Sequence, residues 1–418
     1  LPDRARALVW LPATLSAIVA SKKQEHTVTV KILIQGAGIA GLAAAWWLKR
    51  RGFAPQIVEK APDLRCDGFV LSLGGAGYRI AGRMGILPGL QAKGVELGRT
   101  QFRDSQGRDV LLIDHRKHLR QTNLLPVCRD DLVLALHRVL KGEVPIRFGS
   151  QVEQLTQDAD GVDVGFDDGT AERFDFVVAA DGCFSSLRQR YFASDDDCLK
   201  SLGYSAAAFT LEGPQARGGE RHVSFSEPGY TVELYGMRED LLAALFVWQD
   251  DGGARVPREQ RAAWLREVFA HAHQDIQSAL AAQPEGFYLD HLMQVQLPTW
   301  HQGRLVLLGD AAHCLTLASG RGASMALTGA WLLAEELARS QDVAALQRYE
   351  ARLRPDIDIL QALAPRMAGW YVPLTRRNWH LRNLFMRWTP DWLSGWMLRR
   401  TFAEVDRSAL TRAVQEDG

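Results

Sequence analysis

A short glycine-rich segment has the residue types and spacing that hold a dinucleotide phosphate. Residues 36–41, Gly-Ala-Gly-Ile-Ala-Gly, match GxGxxG between an apolar run and a helical pattern. The first glycine permits a tight turn, the second lets the backbone approach a pyrophosphate, and the third lets the helix pack on a sheet. Glu59, eighteen positions after Gly41, can accept hydrogen bonds from ribose hydroxyls. The pattern predicts a dinucleotide site without distinguishing NAD from FAD, and a glycine-rich turn without a ligand is the alternative.

The elements that must position this segment form a βαβ unit. Apolar runs predict buried strands over 28–35 and 53–59, and an apolar face predicts a helix over 39–51. The N-terminus of that helix would direct free N–H groups and positive dipole character at the phosphates. A second glycine cluster over 74–77 lacks the full pattern and predicts a loop before a helix.

Farther along the chain, the pattern alternates between two kinds of sheet. Alternating residues over 199–249, with a turn at 227–229, predict a separate antiparallel sheet. Apolar strands before and after this block indicate one domain inserted into another. The other predicted elements are a helix over 130–140, a hairpin over 146–169, a strand over 174–180, a helix over 259–282, a strand over 304–308 and a helix over 323–339.

Composition excludes several classes of function. The 418 residues contain 49 Lys plus Arg and 49 Asp plus Glu, so no global positive field would attract nucleic acid. The cysteines are scattered without a CxxC pair, which argues against a disulfide framework and a metal site and favours the reducing cytoplasm. These cysteines are Cys66, Cys128, Cys183, Cys198 and Cys314.

The first residues do not fit the predicted fold. An apolar run over 7–20 follows Arg4 and Arg6, as in a signal peptide, and it is short for a membrane span. We favour the interpretation that residues 1–27 are an N-terminal extension, disordered or non-native.

Two further motifs identify the cofactor. Residues 177–188 contain Asp181-Gly182 in the pattern DGxxSxxR, and residues 305–313 contain Gly309-Asp310 before Ala-Ala-His. With the glycine-rich segment, and with Arg129 at the start of a predicted helix, they resemble the single-component FAD-dependent monooxygenases, the para-hydroxybenzoate hydroxylase-like aromatic hydroxylases. The resemblance covers most of residues 28–348. It departs at Leu317, where the family usually has proline, and at Arg321 between two glycines, which leaves the shape of that loop open.

The resemblance implies an α/β fold in which a Rossmann-like FAD-binding domain is interleaved with an antiparallel-sheet substrate domain, followed by a helical C-terminus. We expect the first part of the FAD-binding domain over 28–195, with a substrate-domain excursion near 70–125. The substrate domain follows over 196–290, the second FAD part over 291–345 and the helical region over 346–418. The expected cofactor-binding residues are Gly36, Gly38, Ile39, Ala40, Gly41, Glu59, Lys60, Arg129, Asp181, Gly309, Asp310, Gly320, Gly322 and Ala323.

Each of these motifs also has a structural interpretation. Asp310, which follows a strand, could accept hydrogen bonds from flavin ribityl hydroxyls, and it could also be the N-cap of a helix. The helix after Gly322 would stabilise anionic reduced flavin through its N-terminus. Arg129 could pair with a pyrophosphate, or it could be a solvent-exposed arginine at the start of a helix. Asp181 is also typical of a turn, and Arg188 of a surface charge.

The resemblance also implies a mechanism. NADPH or NADH docks transiently and reduces FAD, and O₂ then gives a C4a-hydroperoxyflavin that hydroxylates an aromatic or polycyclic, lipophilic small molecule. No nucleophilic side chain is needed, and His222, His291 and His313 are left unassigned. Alternatives are a same-fold reductase or epoxidase acting on a lipophilic substrate, or a non-catalytic FAD-binding protein. The oligomeric state is open between monomer and homodimer.

Aromatic residues of the antiparallel block suggest a substrate pocket between flavin and sheet. The candidates are Phe225, Tyr230, Tyr235, Phe246 and Trp248, for each of which an ordinary core position is the alternative.

The C-terminal region is rich in tryptophan and arginine. Trp388, Trp392 and Trp396 are spaced four apart, and Pro390 favours a helix that starts nearby. Such a segment can lie on a membrane surface as a peripheral contact. We favour the other interpretation, in which the aromatic side chains pack onto the rest of the protein.

Overall fold

The computed structural model describes residues 29–64, 70–94, 98–114, 123–212, 221–238, 241–250, 256–284, 286–316, 319–390, 392–393, 396, 410 and 413–414. The strands, in chain order, are β1 (Lys31–Gln35), β2 (Ala54–Glu59), β3 (Val70–Leu73), β4 (Arg99–Arg103), β5 (Asp109–Asp114), β6 (Leu125–Cys128), β7 (Ile146–Phe148), β8 (Val152–Gln157), β9 (Val162–Phe166), β10 (Ala171–Phe174), β11 (Phe176–Ala179), β12 (Leu199–Glu212), β13 (Arg221–Glu227), β14 (Tyr230–Arg238), β15 (Leu241–Gln249), β16 (Tyr288–Val295), β17 (His301–Gln302) and β18 (Leu305–Leu307).

The helices, in chain order, are α1 (Ile39–Arg50), α2 (Gly75–Arg83), α3 (Leu87–Gln91), α4 (Arg129–Val139), α5 (Ser186–Tyr191), α6 (Asp195–Cys198), α7 (Arg261–Val268), α8 (Gln274–Ala281), α9 (Asp310–His313), α10 (Gly322–Arg339), α11 (Val343–Tyr371) and α12 (Arg376–Trp388). A 3₁₀ turn, Arg258–Gln260, precedes α7. None of the described helices is long and apolar enough to cross a membrane.

A six-stranded sheet forms the centre of the cofactor-binding part, in the order β17-β18-β11-β1-β2-β7. All neighbours pair in parallel except β17 with β18. Gln35 is opposite Ala179, and Ala179 is opposite Leu307, so the carboxyl ends of β1, β11 and β18 lie side by side. The residues after these strands therefore meet at one edge of the sheet, where open α/β sheets bind ligands.

Helices cover this sheet because its strands are apolar on both faces. Ile32, Leu33 and Ile34 of β1 are buried, α1 packs against β1 and β2, and α10 packs against both α1 and α2. Helix α1 contains three successive alanines, residues 43–45, and all three are fully buried. Small side chains there let α1 approach its neighbours closely and place its N-terminus at the sheet edge.

A seven-stranded sheet forms the other part, in the order β16-β12-β15-β14-β13-β4-β5. Its pairs are antiparallel except β13 with β4. One face, called here the outer face, packs against Leu265 and Phe269 of the α7 region and Ile276 of α8. The opposite inner face packs against Ala368 of α11 and Val372.

The fold class is confirmed, since a parallel sheet with covering helices is interleaved with an antiparallel sheet and followed by helices. Residues 70–128 contribute to both parts: β4 and β5 join the seven-stranded sheet, whereas β3 pairs with β6 and α2 packs on α10.

Two predicted elements are wrong in detail. The helix over 259–282 is broken between Val268 and Gln274, because the His273 side chain accepts from Asp275 N and caps a new helix.

The other difference concerns the hairpin over 146–169. Strand β7 joins the parallel sheet beside β2, whereas β8 and β9 form the hairpin and β10 completes a separate three-stranded sheet. The chain changes direction between β7 and β8, where Gly149 has a φ of 66°. A continuous alternating pattern therefore conceals two strands that belong to different sheets.

Candidate cofactor site

The glycine-rich segment turns sharply at the edge of the parallel sheet. Gly36 has a φ of 111°, and a Cβ there would lie 2.4 Å from Ala180 O. A Cβ on Gly41 would lie 1.9 Å from Gly36 O, whereas a Cβ on Gly38 would meet no atom within 4 Å. Gly36 and Gly41 are therefore required by packing, and Gly38 is the glycine whose open side faces the space for a ligand. This division agrees with the roles expected from the pattern.

Glu59 joins this turn to the next strand. One carboxylate oxygen accepts a hydrogen bond of 2.8 Å from Ala37 N, and the other accepts one of 2.9 Å from Ala61 N. Each oxygen has a second lone pair, so the same carboxylate can accept ribose hydroxyls. The backbone of the turn and the ribose-binding group are thus fixed relative to each other.

A cavity of about 170 Å³ lies in front of the turn. Helix α4 begins at its wall, so that Arg129 lines the cavity where a pyrophosphate would be neutralised. Lys60 also lines it and is exposed. The complete lining is Gln35, Gly36, Ala37, Gly38, Glu59, Lys60, Leu64, Arg129, Val133, Gln151, Ala180, Asp181, Gly182 and Ser186.

Asp181 is held in this cavity by three donors. Its Oδ2 accepts from Gln35 Nε2 at 2.7 Å, from Ser186 N at 2.9 Å and from Ser186 Oγ at 3.3 Å. Its Oδ1 is buried and has no protein partner. A buried acceptor without a partner is costly and is a natural place for a donor of a bound ligand. Asp181 is therefore more than a turn residue.

Sequence reasoning missed Gln35, which organises this region. Its side chain is buried, donates also to Ser186 Oγ, and accepts from Val152 N at 2.8 Å. The available signal was a lone amide at the end of the apolar strand Lys31–Gln35. Gln151 and Ser186 were also missed, because nothing in their local pattern distinguishes them from other polar loop residues.

The Gly-Asp segment meets the same helix N-terminus from the other side. Gly309 has a φ of 65°, and a Cβ there would lie 2.8 Å from Ala40 Cβ of α1. Asp310 follows at the start of α9 and is exposed. Desolvation by the surrounding protein nevertheless raises the pKa of Asp310, and the Arg129 guanidinium opposes this rise. An exposed carboxylate that is surrounded by protein indicates a concave site, and Arg129 both lines the cavity and interacts electrostatically with Asp310.

The loop before α10 completes this part of the site. A Cβ on Gly322 would lie 3.8 Å from Asp310 Oδ1, so the start of α10 lies beside that carboxylate. Gly320 has a φ of 60°, and Ala323 lies in the first turn. Among the described residues, no side chain caps the N-terminus of α10 or of α1. Both helix dipoles are thus available to an anionic ligand.

Two residues at this loop, Leu317 and Arg321, depart from the family pattern. Leu317 lies outside the described residues. Arg321 is buried, and its Nη1 lies 2.8 Å from where a Gly74 Cβ would be. Gly74 N donates to Ser324 Oγ, and a Cβ on Gly77 would lie 2.5 Å from Ser324 Cα. The second glycine cluster is therefore a packing surface for α10, and α2 already begins at Gly75 rather than after a loop.

Arg188 is fully buried, which contradicts the surface-charge interpretation. Its Nη1 donates to Cys183 O at 2.6 Å, and its Nη2 forms an ion pair with Asp195. The side chain ties the Asp-Gly loop to α6. The four described cysteines, Cys128, Cys183, Cys198 and Cys314, are free thiols.

The inner face of the seven-stranded sheet faces the Gly-Asp segment. Helix α9 packs against β16, and Val295 N donates to Cys314 O at 3.3 Å. Burial raises the pKa of Tyr288 well above its ordinary value, and the neighbouring Asp290 and Asp310 carboxylates raise it further. Tyr288 therefore lies within electrostatic reach of Asp310, and sequence reasoning missed it.

The structure brings four of the five predicted substrate-pocket residues together, but on the outer face of the seven-stranded sheet. Phe225, Tyr230, Phe246 and Trp248 lie on the outer face, in the cluster that contains Phe269. They point away from the cofactor segments because alternate residues of a strand point to opposite faces. Only Tyr235 lies on the inner face, near Cys128 and Met237.

The histidines are placed as structural groups or sheet residues. His313 packs against Trp300, and burial lowers its pKa to about 4. His291 Nδ1 contacts Ser205 Oγ at 2.8 Å on β12. His222 Nδ1 contacts Thr100 Oγ1 at 2.9 Å, and its Nε2 lies 3.4 Å from Glu233 Oε2 on the inner face. Among the described residues, no group of His, Cys, Asp or Glu could hold a metal ion.

These features fit FAD. The cavity beside Gly38, with Glu59, Arg129 and the free Asp181 oxygen, suits the adenosine and pyrophosphate groups. Asp310 and the N-terminus of α10 suit the ribityl chain and the flavin ring. The two halves of the site meet at α1, which contacts Gly36 through its first turn and Gly309 through Ala40.

Comparisons with known proteins agree. Residues 29–358 match the model of the FAD binding domain family. A flavin-dependent monooxygenase of Legionella longbeachae is 33% identical over 344 residues, covering 79% of this chain and 87% of the relative. A second flavin-dependent monooxygenase, from an unknown prokaryotic organism, is 32% identical over 367 residues and covers 85% of this chain and 94% of the relative.

Solved structures have the same fold. The tetracycline destructase Tet(51) has a TM-score of 0.77 and 25% identity, covering 91% of this chain and 99% of its own. A single-substitution variant of Klebsiella pneumoniae HpxO, complexed with FAD, has a TM-score of 0.75 and 24% identity, covering 90% and 98%. The family match and the relatives above 30% identity show that this chain belongs to the FAD binding domain family as a flavin-dependent monooxygenase.

Proposed function

We propose that the enzyme uses NADPH or NADH and O₂ to hydroxylate an aromatic or polycyclic, lipophilic small molecule, by the route that the family resemblance implies. The observation that supports this most is the packing of α9 against β16, which places Asp310 near Tyr288. Cofactor-binding segments thereby face the inner sheet face. A flat substrate between them would contact the flavin on one side and the sheet on the other.

The chain's own residues would bind and orient the cofactor. Bound FAD would supply hydride acceptance and oxygen activation. Glu59 would hold the ribose, Arg129 the pyrophosphate and Asp310 the ribityl chain. The N-terminus of α10 would favour negative charge on the ring. No described side chain is required as a nucleophile.

The inner face has the chemistry for an aromatic substrate. Tyr235, Tyr288 and Tyr371 lie on or beside it, and burial raises the pKa of each above its ordinary value. All three phenols therefore stay protonated at neutral pH and act as hydrogen-bond donors or aromatic surface. The Glu233 carboxylate beside His222 offers an acceptor for a substrate hydroxyl. We propose these residues in place of the four on the outer face.

Similarity to the tetracycline destructases Tet(51) and Tet(55), at 25% and 28% identity, supports a fused-ring substrate. The test is a screen of tetracyclines, phenols, quinolones and polyketides for stimulated NADPH or NADH oxidation. We expect one substrate class to stimulate oxidation, with one O₂ consumed per hydroxylated product. Substrate reduction without O₂ uptake would instead indicate a same-fold reductase. No NADPH or NADH oxidation with any substrate would indicate a non-catalytic flavoprotein.

Three assignments remain part of this proposal. The domain boundaries are those expected from the sequence, with β16 extending the substrate part to Val295. The free thiols favour the cytoplasm, where NADPH and NADH are available. The oligomeric state is a monomer or a homodimer, which size-exclusion chromatography with light scattering distinguishes.

A further inference from the structure

An exposed apolar surface, called here the tail patch, covers the end of α11 and the outward side of α12, together with Leu374 between these helices and Trp392 and Trp396 after them. On α11 the exposed residues recur at helical spacing, and on α12 they share one side. The two helices meet where the Trp370 and Phe385 rings stand edge to face at 5.8 Å. The tail patch consists of Ile359, Leu363, Met367, Trp370, Leu374, Leu381, Leu384, Phe385, Trp388, Trp392 and Trp396.

The tail patch corrects the interpretation favoured from the sequence. Trp388 is 77% exposed and Trp392 is 70% exposed, so these rings do not pack onto the rest of the protein. Trp388 ends α12 before Pro390, so it does not share one continuous helix with Trp396. Soluble proteins seldom expose so many large apolar side chains together unless the surface binds something.

The exposure is a property of a firmly attached helix. On the opposite side of α12, Trp379 Nε1 donates to Ser226 O at 2.7 Å. Arg382 is buried, donates to Ser226 Oγ at 2.6 Å and to Tyr371 O at 3.1 Å, and has its pKa lowered to about 10 by burial. One side of α12 is thus fixed to β13 and the end of α11, and the apolar side is held outward.

Charge along the tail patch is mainly positive, although Asp358 and Asp391 precede Ile359 and Trp392 in the sequence. Residues 359–390 contain five arginines and no aspartate or glutamate, although the whole chain has a formal net charge of zero. Arg366, Arg376, Arg377 and Arg387 are exposed, and Arg382 is the buried one. Self-association through this surface would bring like charges together and is therefore disfavoured. An apolar, tryptophan-rich surface with a cationic rim is complementary to the interface of an anionic bilayer.

We propose that the tail patch binds the surface of an anionic membrane, with the tryptophan rings at headgroup level and the arginines against lipid phosphates. The enzyme would attach peripherally, through α11 and α12. This inference depends on the tail patch alone and does not require the proposed substrate.

The test is co-sedimentation of the FAD-loaded enzyme with vesicles of phosphatidylcholine alone or mixed with phosphatidylglycerol. We expect binding only to the mixed vesicles, and release at NaCl on the order of 0.5 M, because salt screens the charge contribution. Equal binding to neutral vesicles, or none to either, would overturn the proposal. A dimer that forms through the tail patch without vesicle binding would assign it to a second copy instead.

Two sets of surface variants assign the binding to this surface. Leu384→Ser with Trp388→Ser removes apolar contacts, and Val268→Ser, an exposed apolar residue on α7, is its control. Arg376→Glu with Arg377→Glu and Arg387→Glu reverses the rim, and Arg258→Glu with Arg266→Glu is the control on another exposed surface. Each tail-patch set should reduce vesicle binding about tenfold or more, with melting temperature and flavin content unchanged. Equal loss in the controls would contradict the assignment.

Discussion

The Gln35 amide donates a hydrogen bond of 2.7 Å to Asp181 Oδ2, which joins two motifs that lie far apart in the chain. Gln35 ends β1 before the glycine-rich turn, and Asp181 follows β11. The pair lies at the wall of the cofactor cavity. The turn that binds phosphate and the Asp-Gly loop are therefore coupled directly, rather than only through the sheet.

Gln35→Leu should weaken FAD binding because it leaves Asp181 with fewer donors and Val152 N without its acceptor. A buried polar group without a partner costs about 1–3 kcal/mol, so we expect about a tenfold to hundredfold higher dissociation constant. Flavin fluorescence titration measures it. Gln154→Leu, at an exposed position on β8, should leave the constant unchanged. Equal affinities for Gln35→Leu and wild type would contradict the coupling.

Gly38 and Gly41 of the turn should respond differently to alanine. Gly38→Ala places its Cβ in open space, so the apoprotein should melt as wild type does while FAD affinity falls. Gly41→Ala forces contact with Gly36 O and should lower the melting temperature of the apoprotein by several degrees. Differential scanning fluorimetry with and without FAD separates the two effects. Destabilised Gly38→Ala apoprotein would show that Gly38 is a packing residue.

Glu59→Ala should weaken FAD binding more than Glu59→Gln. Alanine removes the acceptors of Ala37 N and Ala61 N, whereas glutamine keeps one side-chain carbonyl. We expect at least about tenfold weaker binding for alanine, since each lost hydrogen bond to a charged group contributes about 1.5–3 kcal/mol. Isothermal titration with FAD measures this. Glu153→Ala, on the exposed side of β8, is the control, and an equal loss there would refute the specific role.

His313 should make the apoprotein sensitive to acid. Burial lowers its pKa from 6.5 to about 4, so the unfolded chain binds a proton that the folded chain excludes. Above pH 6.5, His313 does not lower the free energy of unfolding. As the pH drops from 6.5 to 4, the free energy of unfolding falls by roughly 3 kcal/mol at most because of this group. The melting temperature of His313→Gln should fall less steeply than that of the wild type as the pH drops from 6.5 to 4. A wild-type slope in the variant would show that other groups cause the loss.

The fold and the nucleotide half of the site were predictable because their signals are local. The turn at Gly36–Gly41, the run before Asp181 and the run before Asp310 each combine a buried strand with a chemically specific end. The sequence could not show which face of an antiparallel strand points inward. Phe225 and Ser224 alternate on β13, and only the packing of α7 and α8 assigns Phe225 to the outer face.

Gln35 and Tyr288 were missed for a related reason. Their importance comes from partners on other elements, Asp181 for one and Asp310 for the other. The exposure of the tryptophans could not be predicted for a similar reason. A helical spacing of apolar residues is equally consistent with a buried or an exposed face. The hydrogen bonds of Arg382 and Trp379 fix the opposite side of α12 and leave Trp388 exposed.

The central claim is tested most directly by labelling with ¹⁸O₂ during turnover of a substrate that stimulates NADPH or NADH oxidation. We expect the product to gain one ¹⁸O atom per molecule, one reduced nicotinamide to be oxidised per product, and turnover to fall in Gly38→Ala as its FAD affinity falls. A product without ¹⁸O, or formed equally well without O₂, would contradict hydroxylation by a flavin-dependent monooxygenase.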